Sequence, residues 1–456
     1  MSRTVPLRRT AAVLAAAGLV LAAGCSAPGS NNASAPTTKK ASQVSTDPAK
    51  AGKVTLRVWD QEVRGGQNAE MTKLNNQFMA KYPNVTIKRT SKSFTDLKTT
   101  LKLALSGDSP PDVVEVNQGY PDMVSFVKAG FLQPLDAYSS VYKWADRYPA
   151  SLLALNKVSA DKSRFGTGHL YGLSQMGEFV GVYYDKAKLK KLGLPLPKTW
   201  SDFTADLAKA KAAGELPIQF GNLDKWPAIH TFGALQGQLA GKQQVRDLVF
   251  GQGGAKWTSS QTVKAAQTLQ DWAKKGYFPS GVNGVGYDDS TKAFGQGKGV
   301  FLITGTWAAA DLKGPMGSRL GLMVPPAASS GSSPVTTGGE SLALGVTSKS
   351  KHADVAAAYI DFLTNAKASG VIQQTGNLPA VPASDASSQA SGVDAQMIDG
   401  WQQLSDANGL VPYLDYSTPT FYDTITAALQ KLIGGQSTAK QFTATLQADY
   451  EKFQQG

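Results

Sequence analysis

The sequence predicts an α/β fold arranged in two lobes. Three observations carry that expectation. From Val54 to Val116, strand-type and helix-type patterns alternate, which is the mark of a mainly parallel sheet flanked by helices. The chain has 456 residues, too many for one ordinary core, so two compact lobes are expected. Hydrophobic residues reach 42% and charged residues 18%, the balance of a chain that folds rather than one that stays disordered.

The amino-terminal stretch has its own logic. Arg3, Arg8 and Arg9 precede an apolar run from Ala11 to Ala23, and small residues lead to Cys25, the one cysteine of the chain. A basic start, a short apolar core and small residues before a cut describe a secretory signal. The run is 13 residues long, whereas a membrane-spanning helix needs about 20. Small residues ending at a cysteine resemble a bacterial lipobox, in which the signal is cut before the cysteine and the thiol receives a lipid. The usual Leu three residues before the cysteine is here Ala22, with Leu21 one position further away. A signal over 1–24 and a lipid on Cys25 are the expectation. A single cysteine allows no internal disulfide, so an exported chain must hold itself by core burial.

Residues 25–53 are Ser, Ala, Thr, Asn, Pro and Lys with almost no large apolar side chain. Such a stretch buries too little to order itself, and it is expected as a disordered tether averaging roughly 30 Å end to end.

Folded sequence is expected from Val54. Val54 to Trp59 alternates and is β-branched, so it reads as a strand, followed by Asp60-Gln61 and a loop with Gly65-Gly66. Met71, Leu74, Phe78 and Tyr82 recur at helical spacing, and Pro83 ends that helix. Val85 to Lys88 is a second strand. Phe94, Leu97, Leu101 and Leu105 mark a second helix that Gly107 stops. Asp112 to Val116 is a third strand, which exits into Asn117-Gln118-Gly119. Ligands of open parallel sheets meet the loops at the carboxyl ends of strands, which is where Trp59-Asp60-Gln61 and Asn117-Gln118 fall.

Further along, Tyr171 to Tyr184 reads as strand material broken at Gly177-Glu178, and Asp185 caps a short helix. A helix begins near Ser201 and closes at Gly214. Ile218 to Phe220 is a short strand before Trp226-Pro227. A helix runs near Val263 to Lys275. Val300 to Ile303 is a strand ending at Gly305-Thr306-Trp307. Residues 325–339 look like a loop or crossing, and Leu342 to Val346 is a strand. Val355, Tyr359 and Phe362 continue a helix. Two last helices cover Asp423 to Leu432 and Phe442 to Phe453.

Charge and motifs exclude several functions. The net charge of +12 falls to +9 without Arg3, Arg8 and Arg9. The lysines are scattered, and no basic stripe is interleaved with aromatics, so nucleic acid is not an expected partner. His169, His230 and His352 lie far apart in sequence, so neither a metal site nor a cofactor is expected. No Gly-x-Ser-x-Gly elbow or phosphate loop appears.

Several short motifs, in order, carry a resemblance. They are Leu56-Arg57-Val58-Trp59, Phe78-Met79-Ala80-Lys81-Tyr82-Pro83-Asn84-Val85, Ser109-Pro110-Pro111-Asp112-Val113, Gly181-Val182-Tyr183-Tyr184-Asp185-Lys186, Leu196-Pro197-Lys198-Thr199-Trp200, Phe294-Gly295-Gln296-Gly297-Lys298, Gly305-Thr306-Trp307 and Leu378-Pro379-Ala380. With the lipobox they make the chain resemble an extracellular solute-binding protein of a bacterial ABC importer, of the carbohydrate class typified by maltose-binding protein. The resemblance runs from about Val54 to the carboxyl terminus. It implies the two-lobed periplasmic-binding-protein fold of type II, with a hinge crossed more than once and a ligand cleft between the lobes. One lobe would hold 54–165 and 335–364, the other 166–334 and 365–456. It also implies a sugar ligand, a membrane permease as partner, a monomer, and a location on the outer face of the cell membrane, or secretion if Cys25 carries no lipid.

A sugar offers flat C–H faces and a rim of hydroxyls, suited by aromatic faces and by carboxylates or amides. Asp60 and Gln61 match a loop of polar sugar contacts, or are simply an exposed loop. Asn117 and Gln118 match the next such loop, or form an Asx turn beside Gly119. Glu178 matches a sugar-binding glutamate. Trp307 matches a stacking position and is the leading candidate. Trp226 reads equally as cleft or core, and Trp59 could stack or fill the core. Gly339, with Gly338, would let backbone approach the ligand, and Glu340 would take hydroxyls. Phe421 and Tyr422 match an aromatic pair on the second lobe, or pack as a helix face. Tyr183 and Tyr184 are expected in the core. A polyol or peptide ligand is the alternative within this fold. A lipid-anchored glycosidase would need two carboxylates flanking a bond, and Glu178 with Glu340 is the available pair.

Overall fold

The computed structural model describes residues 39–455. The expected signal, Cys25 and the first part of the expected tether lie outside the described residues. The described residues all fall in one compact unit. In chain order the strands among the described residues are β1 Val54–Asp60, β2 Val85–Ser91, β3 Val113–Val116, β4 Lys157–Val158, β5 His169–Leu170, β6 Gly177–Asp185, β7 Phe301–Gly305, β8 Leu320–Met323, β9 Thr336–Glu340, β10 Ala343–Val346 and β11 Leu410–Val411.

The first lobe is built on a four-stranded sheet of order β10-β3-β1-β2. β2 and β3 both run parallel to β1, and β10 runs antiparallel to β3. The inward faces of Val54, Leu56 and Val58 meet Met71, Leu74 and Phe78 from the helix Gly65–Lys81. The parallel arrangement delivers the carboxyl ends of β1 and β3 to one edge, and the cleft opens there.

The second lobe is organised around β6, whose nine residues are all buried. β7 flanks it on one side. β9 pairs with its first residues and β8 with its last on the other. These pairings are antiparallel, so among the named strands the parallel order expected from strand–helix alternation is found in the first lobe and in β9–β11, with single parallel bridges at Ile218–Phe301 and Thr199–Ala327. β7, β8 and β9 all run opposite to β6 and so share one direction.

The lobe limits differ from the expected ones. Leu170, Leu173 and Met176 pack in the first lobe's core, as do Val355, Tyr359, Ala368 and Ile372. β9 pairs with β6 and so belongs to the second lobe. The chain therefore crosses near Met176–Gly177, near Glu340–Leu342, and between Asn377 and Ala386. Where these segments meet they bond as strands do: Gly177 N–H donates to Leu378 O at 2.9 Å, and Ala380 N–H to Gln175 O at 3.0 Å.

Residues 39–53 are not a free tether. They form two short turns, Ala41–Gln43 and Pro48–Ala51, laid on the first lobe. Asp354 takes Lys39 Nζ at 2.5 Å and Ser45 N–H at 3.0 Å. Asn84 Nδ2 donates to Pro48 O at 2.8 Å and Gly52 O at 2.7 Å. The segment has no core of its own, and it is held by these polar contacts together with buried Pro48 and with Val44 packed against the first lobe's core.

Candidate functional site

One cleft opens to solvent at the carboxyl ends of β1 and β3. Residues from both lobes line it. Gln61, Arg64, Gln67, Phe94 and Asn117 come from the first. Trp226, Ile229, His230, Trp307, Asp415 and Tyr422 come from the second, with Glu178 at the start of β6 and Leu342 at a crossing.

An aromatic wall forms the second lobe's side. Trp226 and Trp307 meet edge to face, planes inclined at 64° and ring centres 6.2 Å apart, and the Trp226 ring centre lies 4.4 Å from that of Tyr287. The Trp307 Nε1–H donates to the Tyr287 hydroxyl at 2.6 Å, which fixes the indole's orientation. His230 sits 5.1 Å from Trp307 and 5.2 Å from Tyr413. Burial pushes its pKa down to about 3, so its imidazole is neutral. Phe94 approaches Trp226 and Tyr422 from the first lobe, and Lys98 lies 4.3 Å over the Tyr422 ring.

The polar groups are few and held. Glu178 accepts from the Tyr413 hydroxyl at 3.2 Å. Burial, with the charge of Glu62 behind it, raises its pKa to about 8 despite that bond and Arg64. Burial likewise raises Asp415 to about 6. A protonated carboxyl both donates and accepts, which suits a hydroxyl-bearing ligand. Asn117 accepts from the Tyr416 hydroxyl at 3.3 Å.

Of the positions expected from sequence, Gln61, Asn117, Glu178, Trp226, Trp307 and Tyr422 come together around the cleft. The others do not line it. Asp60 is fully buried and gripped by Arg89, Nε to Oδ2 at 2.6 Å and Nη2 to Oδ1 at 2.8 Å. Gln118 is turned to Ser341 O at 2.8 Å and accepts from Tyr416 at 3.0 Å. Glu340 is buried and accepts from Asn156 at 2.5 Å. Gly339 serves packing instead of ligand: at φ 141° a Cβ there would meet Leu155 at 2.6 Å. Phe421 is buried against Trp257, ring centres 4.7 Å apart. Trp59 packs outside the cleft under Lys92, and Tyr183 and Tyr184 are buried. With Glu340 turned away, the Glu178–Glu340 pair does not flank one substrate position.

Sequence reasoning missed Arg64, Gln67, Phe94, Ile229, His230, Leu342, Tyr413, Asp415 and Tyr416. Trp226-Pro227 carried one usable signal, since Pro is favoured at the first turn of a helix. The helix Pro227–Phe250 starts there and brings Ile229 and His230 to the wall.

Residues 65–369 match the sequence profile described as bacterial extracellular solute-binding protein. The chain belongs to that family. Among its relatives, this solute-binding protein is 25% identical over 324 residues to the multiple sugar-binding protein of Streptococcus mutans serotype c, covering 70% of this chain and 73% of that one. It superposes on a chitin oligosaccharide binding protein with TM-score 0.76 at 24% identity, over 89% of this chain and all of the other. It also superposes on the solute-binding protein RafE in complex with raffinose, with TM-score 0.68 at 18% identity, over 88% and 100% of the two chains. These superpositions agree with the two-lobed α/β fold. No helix among the described residues of this solute-binding protein is long and apolar enough to cross a membrane.

Proposed function

We propose that this solute-binding protein captures a neutral sugar, mono- or oligosaccharide, between its lobes and hands it to an ABC importer without altering it. One observation carries the reading. The cleft sets the faces of Trp226, Trp307 and Tyr422 beside hydroxyl-binding groups, namely Glu178, Asp415, Gln61 and Asn117. That is the division of labour a sugar's C–H faces and hydroxyl rim require. The sugar-binding relative and the oligosaccharide-binding structural neighbours support it. The one arginine on the wall, Arg64, is already engaged by Asp288 at 3.2 Å, which argues against a phosphorylated ligand.

Delivery takes place outside the cell, with Cys25 lipidated at the membrane and the protein acting as a monomer beside its permease. Residues 39–53 are docked on the first lobe, so a free tether from Cys25 would be shorter than the whole of 25–53. A thermal-shift screen of mono- and oligosaccharides tests the sugar reading. Ligand at a hundred times its dissociation constant adds about 2.7 kcal/mol of stability. A polyol or peptide responding in place of every sugar would move the ligand class and keep the fold's role. Release of a cleaved product from any responding sugar would overturn binding without chemistry.

A further inference from the structure

The helix Gly65–Lys81 begins without help from its own lobe. Its N-cap, Arg64, makes no side-chain capping bond, and its first turn holds no acid. The first amides of a helix carry unsatisfied donors and partial positive charge, and an acceptor or anion there is stabilising. The second lobe supplies one. Asp311, on the helix Ala309–Met316, lies against Gly65: a Cβ on Gly65 would sit 3.3 Å from Asp311 Oδ1. Burial raises the Asp311 pKa, with the like charge of Asp288 adding to it, while Arg64 and a hydrogen bond from the Gly65 amide pull the other way.

A second helix of that lobe, Tyr287–Gly295, takes the neighbouring residue. Arg64 stacks 5.1 Å over the Tyr287 ring and reaches Asp288 Oδ1 at 3.2 Å. Gly66 completes the contact. A Cβ there would come within 2.6 Å of Ala310 Cβ on the second lobe and within 2.7 Å of Thr375 O on the first lobe itself, so only glycine fits between the two.

We infer that Asp288 and Asp311 form a latch that receives the amino terminus of the Gly65–Lys81 helix and holds the lobes together on this side before any ligand arrives. They are positioning residues. The stretch they grip is the one that sends Gln61, Arg64 and Gln67 into the cleft wall, so the latch sets that wall in its binding geometry. Each contact is partly exposed and weak, but a hinge equilibrium responds to small increments.

The test uses the full chain carrying Cys25→Ser, with spin labels at Leu103→Cys and Leu223→Cys, positions 78% and 56% exposed on the first and second lobes. Inter-label distances are measured with no sugar present, so the outcome is independent of the sugar reading. The latch predicts a short-distance population in the parent. It predicts a roughly three- to thirtyfold fall in the closed-to-open ratio when Asp288→Ala and Asp311→Ala are combined. Asp311→Asn keeps an acceptor for the Gly65 amide and should restore part of the loss, which a general surface-charge effect would not. A parent with only the long distance, or a double variant indistinguishable from the parent, would overturn the inference.

Discussion

Trp307 donates its indole N–H to the Tyr287 hydroxyl at 2.6 Å, and that hydroxyl lies 3.0 Å from Thr304 Oγ1. The chain of bonds ties the leading stacking residue to the end of β7. The ring is therefore presented in one orientation before ligand binds, and little ordering is left to be done on binding.

Removing that ring is the sharpest test of the wall. Trp307→Ala should weaken sugar binding by about ten- to a hundredfold, as expected for an aromatic contact worth ~1.5–3 kcal/mol. Calorimetric titration checks it, with circular dichroism as the fold control. Trp307→Phe keeps a face but loses the bond to Tyr287, so its loss should be intermediate. Unchanged affinity in Trp307→Ala would remove this wall from the site.

The Asp60–Arg89 pair separates stability from binding. Both Asp60 oxygens are taken inside the first lobe. Asp60→Asn should cost about 3 kcal/mol in denaturant unfolding, because it strips a buried charge pair. Sugar affinity of the folded fraction should change far less than in Asn117→Ala. Equal affinity losses in the two variants would return Asp60 to the ligand.

Stability should fall as pH rises. Burial and the charge of Asp60 raise Glu62 to about 8, burial and Glu62 raise Glu178 to about 8, and burial raises Glu340 to about 8. Between 4.5 and 8 the folded chain holds protons on these groups that the unfolded chain has released, so their stabilisation is present at low pH and lost across that window. His230 opposes this below 6.5, where the unfolded chain takes a proton that the folded one refuses, but it stands alone against these three and against Glu70, Glu115 and Asp415, which burial also raises. Melting temperature should drop from pH 5 to pH 8, and Glu62→Gln should flatten the slope. A midpoint that climbs over that range would contradict the assignment.

The docked amino-terminal segment rests heavily on one side chain. Asn84→Ala removes both bonds to Pro48 and Gly52 carbonyls. Trypsin should then cut at Lys50 and Lys53 several-fold faster than in the parent. Equal cutting rates would mean that the segment is held by something other than Asn84.

What sequence could reveal depended on where each residue sat. β1 was legible because it is amphipathic, β3 because it is a short, fully buried valine-rich run after Pro110-Pro111, and the loops at their carboxyl ends followed. Trp307 was legible because it ends a buried strand. Asp60 was not, since its neighbour in the fold is Arg89, 29 residues away, and spacing along one chain does not show which groups face each other across a parallel pair. The helix Pro227–Phe250 was missed because much of its circumference is buried, with Phe232, Leu235, Gln236 and Gln238 all inside. A helix enclosed on most sides shows no apolar stripe, and His230 went with it. Tyr413, Asp415 and Tyr416 were hidden for a different reason: they lie in and beside the single turn Leu414–Ser417, too short for any period. The segment 39–53 was misread because its order depends on a surface formed by residues far along the chain.

The central claim is that the aromatic and carboxyl-lined cleft binds a neutral sugar. The most direct measurement is titration calorimetry of the unmodified protein and of Trp307→Ala against the sugars that respond in the thermal screen. The account predicts saturable one-to-one binding in the first and at least a tenfold loss in the second. No heat with any sugar of a broad panel, or equal affinity in both proteins, would contradict it.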